Sequence, residues 1–145
     1  IRNPGGGEIP KHQDNFYFNL KNSSGLTAYI ALSSHDKHSG GLNYKVNSHK
    51  HVVDHDLSQI KGFSSYITDD GMARNIGNAR TYSPSYDVGD VTIHHCNNIH
   101  WSNACPSSSP RGYALSARMF DSNDSINPEG VRRYQKLLSK NRLPH

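Results

Sequence analysis

Short runs of alternating apolar and polar positions recur along the chain, and each run ends in residues that favour turns. Alternation with period two is typical of β-strands, and Asn, Ser and Gly clusters are typical of the turns between them. The segments predicted as strands are NFYFNL, GLTAYIAL, GGLNYKV, YDVGDVTIHH and YALSARMF, with ARNIG as a weaker candidate. The pattern predicts a mostly β chain of six or seven short strands.

Helical signals are confined to two places. The polar stretch HKHVVDHDLSQIKGFSSYITDDG is interpreted as an excursion with a short helical turn around 57–60. Near the C-terminus, Asn127 is suited to cap a helix, Pro128 to take its first position and Glu129 to lie in its first turn. Neither a repeat nor a linker divides the 145 residues, so we expect one domain over 1–145, of the jelly-roll kind, with one C-terminal helix.

Composition limits the classes of function. The net charge is +4, and five of the sixteen basic residues lie in VRRYQKLLSKNRLPH, a segment that fits one helix with a polar face better than a nucleic-acid surface. Only two cysteines occur, Cys96 and Cys105, which argues against a disulfide framework and favours a reducing compartment. No segment approaches the ~18 apolar residues of a membrane span, and no leader precedes IRNPGGGE. We therefore predict a soluble, cytoplasmic protein without nucleic-acid or membrane partners.

Candidate metal ligands occur early and late in the chain. His12 and Asp14 are two residues apart, so on a strand both would point to one side. Three more histidines lie in GDVTIHHCNNIHWS, where the paired-ligand spacing of structural zinc is missing. Of these, His94 and His95 are adjacent, so at most one faces inward, and both are interpreted as structural or supporting residues. Two histidines and one carboxylate that leave three positions of an octahedron open are typical of non-haem Fe(II) oxygenases.

Three segments, HQDNFYF, GDVTIHHCNNIHWS and PRGYALSARMF, together resemble the phytanoyl-CoA dioxygenase family of Fe(II)/2-oxoglutarate-dependent oxygenases. The resemblance spans most of the chain and implies a double-stranded β-helix, the cupin-like form of the jelly roll. It also implies that His12, Asp14 and His100 bind Fe(II).

The same resemblance implies a binding site for the cosubstrate 2-oxoglutarate. Arg111, eleven positions beyond the distal histidine, is expected to pair with the cosubstrate carboxylate, a task that suits a rigid, permanently charged guanidinium. Ser102 is expected to add a hydroxyl to that carboxylate, and Gln13 to face the cosubstrate or the substrate.

The implied reaction is hydroxylation of a small molecule, with O2 consumed and 2-oxoglutarate decarboxylated to succinate; ascorbate is a further candidate cofactor. Asp14 favours hydroxylation over halogenation, because related halogenases have a small residue in place of this carboxylate. The segment GGLNYKVNSHK departs from the family pattern at Val46 and Asn47, where Pro-Gly is usual, so the substrate is left open. Family members also carry an N-terminal helical region that is absent here, which predicts an uncovered sheet edge and self-association.

Two other hypotheses stay open. The chain is either an enzyme, or a non-catalytic jelly-roll binding or scaffold domain that lost its activity with the N-terminal region; metal-dependent succinate formation separates the two. A cupin-like enzyme that uses another metal without 2-oxoglutarate is the third hypothesis, and it would leave Arg111 without a role.

Overall fold

The computed structural model describes residues 1–60 and 63–139. The strands within these ranges are β1 (Ile9–His12), β2 (Leu26–Ala31), β3 (Leu42–Lys45), β4 (Asp56–Leu57), β5 (Ser65–Tyr66), β6 (Thr81–Tyr82), β7 (Val91–His95), β8 (His100–Ser102) and β9 (Ala114–Met119). The helices are α1 (Asn15–Phe18), α2 (Asp69–Ile76) and α3 (Pro128–Ser139), with a 3-10 turn at Ser48–Lys50. Within the described ranges, no helix combines the length and the apolar character needed to cross a bilayer.

The strands form two main antiparallel sheets and a small ribbon. One sheet has the order β1-β8-β3-β6, the second has the order β7-β2-β9, and β4 pairs with β5. The phenol of Tyr44 on β3 lies 3.0 Å from Thr92 Oγ1 and 3.3 Å from His94 Nδ1 on β7, so the inner faces of the two sheets meet. The prediction of a mostly β jelly roll with a C-terminal helix is confirmed.

Helix α3 begins where the capping signals predict. The Asn127 side-chain oxygen accepts hydrogen bonds from the backbone N–H groups of Glu129 and Gly130, at 3.1 and 3.2 Å. These are two of the N–H groups that a helix leaves without an internal partner, and Pro128 supplies none of its own. The strands predicted around β2, β3, β7 and β9 are likewise present.

The segment NFYFNL is a helical turn and not the predicted strand. The backbone N–H groups of Phe16 and Tyr17 donate to the carbonyl oxygens of Gln13 and Asp14, at 3.1 and 2.9 Å. Asn19 ends the turn in the left-handed conformation, with φ at 53°. Burial explains why this segment is helical, because the turn places the Phe16 side chain in the interior, where it is 5% exposed.

The stretch between β3 and β6 also differs from the prediction. ARNIG forms the end of α2 and the residue after it, where a weak strand was expected. The Thr68 hydroxyl caps α2 by accepting from the backbone N–H of Gly71 at 3.0 Å. The helical turn expected around 57–60 is not formed, since Leu57 belongs to β4.

A small cluster of buried apolar side chains lies beside β1 and β8. Val53, Ile67 and Ile99 are each at most 2% exposed, and Met72 and Ile76 of α2 pack against them. Ile99 directly precedes His100, so this cluster holds the start of β8 in place. Much of the remaining interior is polar, and hydrogen bonds must therefore fix it.

The outer face of the sheet β7-β2-β9 carries an exposed apolar surface. Side chains of this face pair across the strands, with Val91 and Leu115 on either side of Ile30. Five exposed residues of this surface are together called the outer apolar face. They are Leu26, Val91, Ile93, Leu115 and Met119, and they are between 39% and 64% exposed. The inner face of the same sheet carries Thr27 and His94 directly opposite one another.

Candidate metal centre

The pairing of β1 with β8 brings the two predicted histidine ligands together. His12 ends β1, His100 begins β8, and the two residues are direct partners in the antiparallel register. Their ring centroids are 4.2 Å apart. Two histidines that are distant in sequence therefore meet because of one strand pair.

Asp14 reaches the same point from the turn that follows β1. It is the N-cap of α1, with helical backbone angles, yet its carboxylate makes no capping hydrogen bond. Instead Oδ1 lies 3.6 Å from His12 Nε2 and 3.8 Å from His100 Nε2. The ligand atoms of the three residues all lie within 4.8 Å of one another. The predicted triad is thus assembled, although Asp14 is not on the strand that was expected to carry it.

The two histidines are oriented as metal ligands. His12 Nδ1 lies 2.8 Å from the Pro10 carbonyl oxygen, and His100 Nδ1 lies 2.9 Å from the Asn98 carbonyl oxygen. Because a carbonyl only accepts, each Nδ1 carries the proton, and each Nε2 presents its lone pair toward Asp14. Metal-bound histidines commonly donate their other N–H to a carbonyl oxygen in this way. The donor set therefore fits a divalent ion such as Fe(II).

The charges of these groups suit an ion as well. Burial lowers the pKa of His100 to about 3, with His12 and His94 acting in the same direction, so the imidazole is neutral near pH 7. Burial acts to raise the pKa of Asp14, but its contacts with His12, His94, His100 and Thr27 lower that pKa well below its usual range. The neutral His100 imidazole and the ionised Asp14 carboxylate are thus in the protonation states that metal binding requires of these two residues.

Two residues at the centre were not assigned as ligands from the sequence. Thr27 donates from Oγ1 to Asp14 Oδ2 at 2.8 Å, and so fixes the carboxylate with Oδ1 free. His94 Nε2 lies 3.6 Å from the same Oδ2, and its side chain is only 5% exposed. Strand alternation already indicated that only one of His94 and His95 faces inward; it left undecided which one, and gave no sign of Thr27.

Ser102 is buried and lines a small cavity. It is 1% exposed and follows His100 by two residues on β8, so both side chains belong to one face. The cavity has a volume of about 210 Å³, and its lining includes Ile9, Tyr29, Leu42, Ser102, Gly112 and Arg2. His12, Asp14 and His100 are not among the residues that line this cavity.

The structure does not bring the other two predicted cosubstrate residues to this cavity. Arg111 is exposed and makes no side-chain hydrogen bond among the described residues. Gln13 is buried, but its amide Nε2 donates to the carbonyl oxygens of His51 and Asn97, at 2.6 and 2.5 Å, and Oε1 accepts from Val53 N at 2.9 Å. Gln13 was expected to face the cosubstrate or the substrate; its amide instead joins the loops around the site.

A jelly roll that gathers two histidines and one carboxylate at a buried point defines a class of protein, the cupin-like proteins with a single metal ion. The model of one family within that class, phytanoyl-CoA dioxygenase (PhyH), matches residues 1–113. The match covers more than half of the chain, and the chain belongs to this family. No curated protein matches it.

Several solved structures share the fold. The non-heme alpha ketoglutarate dependent carbocyclase SnoK aligns with a TM-score of 0.65 at 22% identity, over 88% of this chain and 49% of that one. The epimerase SnoN, in complex with Fe3+, alpha ketoglutarate and nogalamycin RO, aligns with a TM-score of 0.63 at 20% identity, over 90% of this chain and 48% of that one. EctD from S. alaskensis, with 2-oxoglutarate and 5-hydroxyectoine, aligns with a TM-score of 0.60 at 21% identity, over 84% of this chain and 42% of that one. The chain spans about half the length of SnoK and SnoN, and at these identities the likeness establishes the fold.

Proposed function

We propose that this chain is an Fe(II)- and 2-oxoglutarate-dependent oxygenase that hydroxylates a small molecule. The observation that carries the proposal is the triad of His12, Asp14 and His100, with both Nε2 atoms and Oδ1 facing one point. Two histidines and one carboxylate leave three of six octahedral positions open, the number that a chelating cosubstrate and O2 require.

Membership of the phytanoyl-CoA dioxygenase family supports the same chemistry. Two structures with this fold were solved with the relevant groups, SnoN with Fe3+ and alpha ketoglutarate, and EctD with 2-oxoglutarate. Structures with this fold include a carbocyclase and an epimerase, so hydroxylation rests on this chain's own features. Asp14 favours hydroxylation over halogenation, since the carboxylate fills the position that halogenation leaves to a halide.

Each residue of the proposed site has a defined task. His12, Asp14 and His100 hold the metal, Thr27 fixes the carboxylate through its Oδ2 atom, and the buried setting keeps bulk water away from the ligands. When bound, iron and 2-oxoglutarate would supply an oxidising reaction in which O2 is consumed, CO2 and succinate are released, and the substrate gains a hydroxyl group.

The cosubstrate carboxylate is proposed to lie beside Ser102 and to pair with an arginine. Arg111 has the spacing of the family motif, and it directly precedes Gly112, which lines the cavity of Ser102. Arg2 lines that cavity itself, although its Nη2 already donates to the carbonyl oxygens of Gly7 and Asn103, at 2.8 and 2.9 Å. We assign the role to Arg111, because its guanidinium is free among the described contacts, and treat Arg2 as the competing cation.

Metal titration tests the triad. The parent is expected to bind one Co(II) or Fe(II) ion, and Asp14→Ala and His100→Ala are each expected to abolish measurable binding in isothermal titration. His38→Ala is the matched control, because His38 is exposed and lies outside the site. Parental affinity in both triad variants would exclude this site.

Succinate release tests the reaction. The parent with Fe(II), ascorbate and 2-oxoglutarate is expected to form succinate, and more of it in the presence of a true substrate. Arg111→Lys should weaken 2-oxoglutarate binding with metal affinity unchanged, because Lys cannot make a bidentate contact. If Arg2→Lys shows that effect and Arg111→Lys does not, the assignment passes to Arg2. Metal binding without any succinate would favour the non-catalytic jelly-roll domain.

A further inference from the structure

The cavity that Ser102 lines is chemically suited to an anion. Arg2 lines it as well, and the Nε atom of Arg2 is buried without a hydrogen bond among the described residues. Neither Asp nor Glu occurs in the described part of the chain that lines this cavity. Tyr29, Ser102 and Ser116, which each carry a hydroxyl group, complete the polar part of the lining. A carboxylate in this space would therefore meet a cation and hydroxyl donors.

Tyr29 and His35 both line this cavity and are hydrogen-bonded to each other. Tyr29 Oη lies 2.8 Å from His35 Nε2. On the other side of the imidazole, Nδ1 lies 2.7 Å from the Ser33 carbonyl oxygen. Because a carbonyl oxygen only accepts, Nδ1 carries a proton, and a neutral His35 has its lone pair on Nε2. Tyr29 must therefore donate its hydroxyl hydrogen to His35.

This direction of the hydrogen bond leaves the Tyr29 oxygen with only lone pairs for a ligand. A carboxylate is itself an acceptor, so it gains nothing from that oxygen while the hydrogen points at His35. A protonated His35 reverses the hydrogen bond, because Nε2 then carries a hydrogen and donates it to the Tyr29 oxygen. The Tyr29 hydrogen is then free to turn toward the cavity. Burial raises the pKa of Tyr29 to about 12, so the hydroxyl keeps its hydrogen in either arrangement.

We propose that His35 is a positioning residue for the cosubstrate and acts through Tyr29. When the distal carboxylate of 2-oxoglutarate binds beside Ser102, His35 Nε2 takes up one proton from solvent, and the Tyr29 hydroxyl turns to donate to that carboxylate. The inference rests on the proposed function, since it takes this cavity as the place of the cosubstrate carboxylate. It adds that cosubstrate affinity depends on pH through a residue outside the metal centre.

Two titratable side chains close to His35 are compatible with a positive charge on it. Tyr86 stacks on the imidazole with centroids 4.8 Å apart, and burial raises the pKa of Tyr86, so this ring stays uncharged. Asp36 follows His35 in the chain, and a hydrogen bond from Ser39 lowers the pKa of the Asp36 carboxyl. Asp36 is therefore a negative charge near the imidazole at neutral pH.

Two charged side chains of other segments complete these surroundings. Asp87 precedes β7, and its Oδ1 accepts from Ser34 Oγ at 3.4 Å. Arg2 lines the same cavity as His35. The charge of Arg2 opposes a second positive charge before a ligand binds, and a bound carboxylate offsets both. Proton uptake is therefore expected together with the ligand.

The test counts protons in the Co(II)-loaded protein. Titration calorimetry of 2-oxoglutarate in buffers of different ionisation enthalpy measures the protons taken up, and about 0.5 proton or more is expected at pH 7.5. Affinity should then weaken by about threefold or more from pH 7 to pH 8. The matched ligand is 2-oxobutyrate, which has the same 2-oxo acid group without the distal carboxylate, and it should bind without proton uptake.

His35→Gln is compared with His38→Gln, the same change at an exposed histidine that does not line the cavity. His35→Gln should lose the proton uptake and the pH dependence with Co(II) affinity unchanged, and His38→Gln should retain both. Tyr29→Phe should weaken 2-oxoglutarate binding about tenfold or more, lose most of the proton uptake and leave 2-oxobutyrate binding unchanged. An amino group at Ile1, which also lines the cavity, would titrate alike in every variant and cancels in the comparison.

If His35→Gln does not fold, Tyr29→Phe and the two ligands decide. Binding of 2-oxoglutarate without proton uptake would overturn the role of His35 and leave the proposed oxygenase intact. Uptake that persists in His35→Gln, or that 2-oxobutyrate shares, would overturn it as well. Co(II) binding without any 2-oxoglutarate binding between pH 6 and 8 would refute the proposed function and this inference together.

Discussion

Gln13 is predicted to be among the most costly polar side chains to replace, although it has no role in the proposed chemistry. The residue is 1% exposed, and its amide pairs with three backbone groups, the carbonyl oxygens of His51 and Asn97 and the N–H of Val53. Gln13→Met keeps the volume and removes all three hydrogen bonds. Two of these hydrogen bonds are buried and the one to His51 is partly buried; each buried group left unpaired costs about 1–3 kcal/mol, so the loss should be about 2–6 kcal/mol.

A loss of that size is a large share of the roughly 5–15 kcal/mol that stabilises an ordinary domain. Urea unfolding followed by the fluorescence of Trp101, the single tryptophan, measures it directly. Gln135→Met is the matched control, because Gln135 is exposed on α3, and its effect should stay within about 0.5 kcal/mol. A loss below about 1 kcal/mol for Gln13→Met would refute the reasoning.

Gln13→Glu tests the same hydrogen bonds through the pH dependence of the free energy of unfolding. The carboxylate would keep an acceptor for Val53 N–H but place negative charge against two carbonyl oxygens, so burial and repulsion favour the protonated acid. A pKa raised in the folded state stabilises the protein below the unfolded pKa and loses that stability as the pH rises. Gln13→Glu should therefore be more stable at pH 5 than at pH 8 relative to Gln13→Met, and the opposite order would contradict the geometry.

Three further predictions concern other parts of the chain. Burial lowers the pKa of His55 to about 3, so the unfolded state binds a proton that the folded state does not. The free energy of unfolding should therefore fall as the pH drops from about 6.5 toward 3. His55→Asn should reduce this pH dependence in urea unfolding, and an unchanged dependence would contradict the prediction. Cys96 and Cys105 are buried free thiols, and burial raises the pKa of Cys96 to about 11, so Ellman's reagent should label neither before unfolding. Ile93 is 64% exposed on the outer apolar face, so Ile93→Lys should reduce self-association in sedimentation velocity, and a parent that is monomeric at every concentration would disprove this.

Most strands and the last helix could be predicted from local sequence signals, because local and tertiary preferences agree in these segments. In β2 and β7 the period-two pattern matches an inner and an outer face, and in α3 the Asn127 cap and Pro128 act within a single turn. Helix α2 carried equally local signals that the sequence analysis did not use, namely the Thr68 cap, two acidic residues in the first turn and a glycine just after the end.

The helical turn at NFYFNL could not be predicted in this way. Its aromatic composition favours a strand, and its helical form depends on packing partners far away in sequence. Phe16 stacks on His55 with centroids 4.0 Å apart and meets Tyr134 of α3 edge to face at 5.6 Å. Tertiary contacts decide such a segment, and a local pattern contains no record of them.

In the candidate site, too, some features could be predicted from the sequence and others could not. The resemblance to the family pattern was sufficient to name His12, Asp14 and His100 as candidate ligands, and the fold brings their ligand atoms within 4.8 Å of one another. The exposed position of Arg111 was not foreseen, since spacing along the chain says nothing about which way a side chain turns after a Ser/Pro loop. His94 was foreseen only as one of two alternatives, because alternation fixes that adjacent residues oppose each other and not which of them faces the core.

The two-residue spacing of His12 and Asp14 is satisfied here by a strand that turns into a helix, and this explains the burial of Gln13. On a continued strand, His12 and Asp14 would share one face and the residue between them would point to the opposite side of the sheet. Because the chain leaves the sheet after His12, Asp14 reaches the ligands from the first turn of α1, and Gln13 turns toward the loops at 51–53 and 97. The middle residue then braces the two candidate ligands beside it, so the two-residue spacing that predicts a metal site also places a structural amide between them.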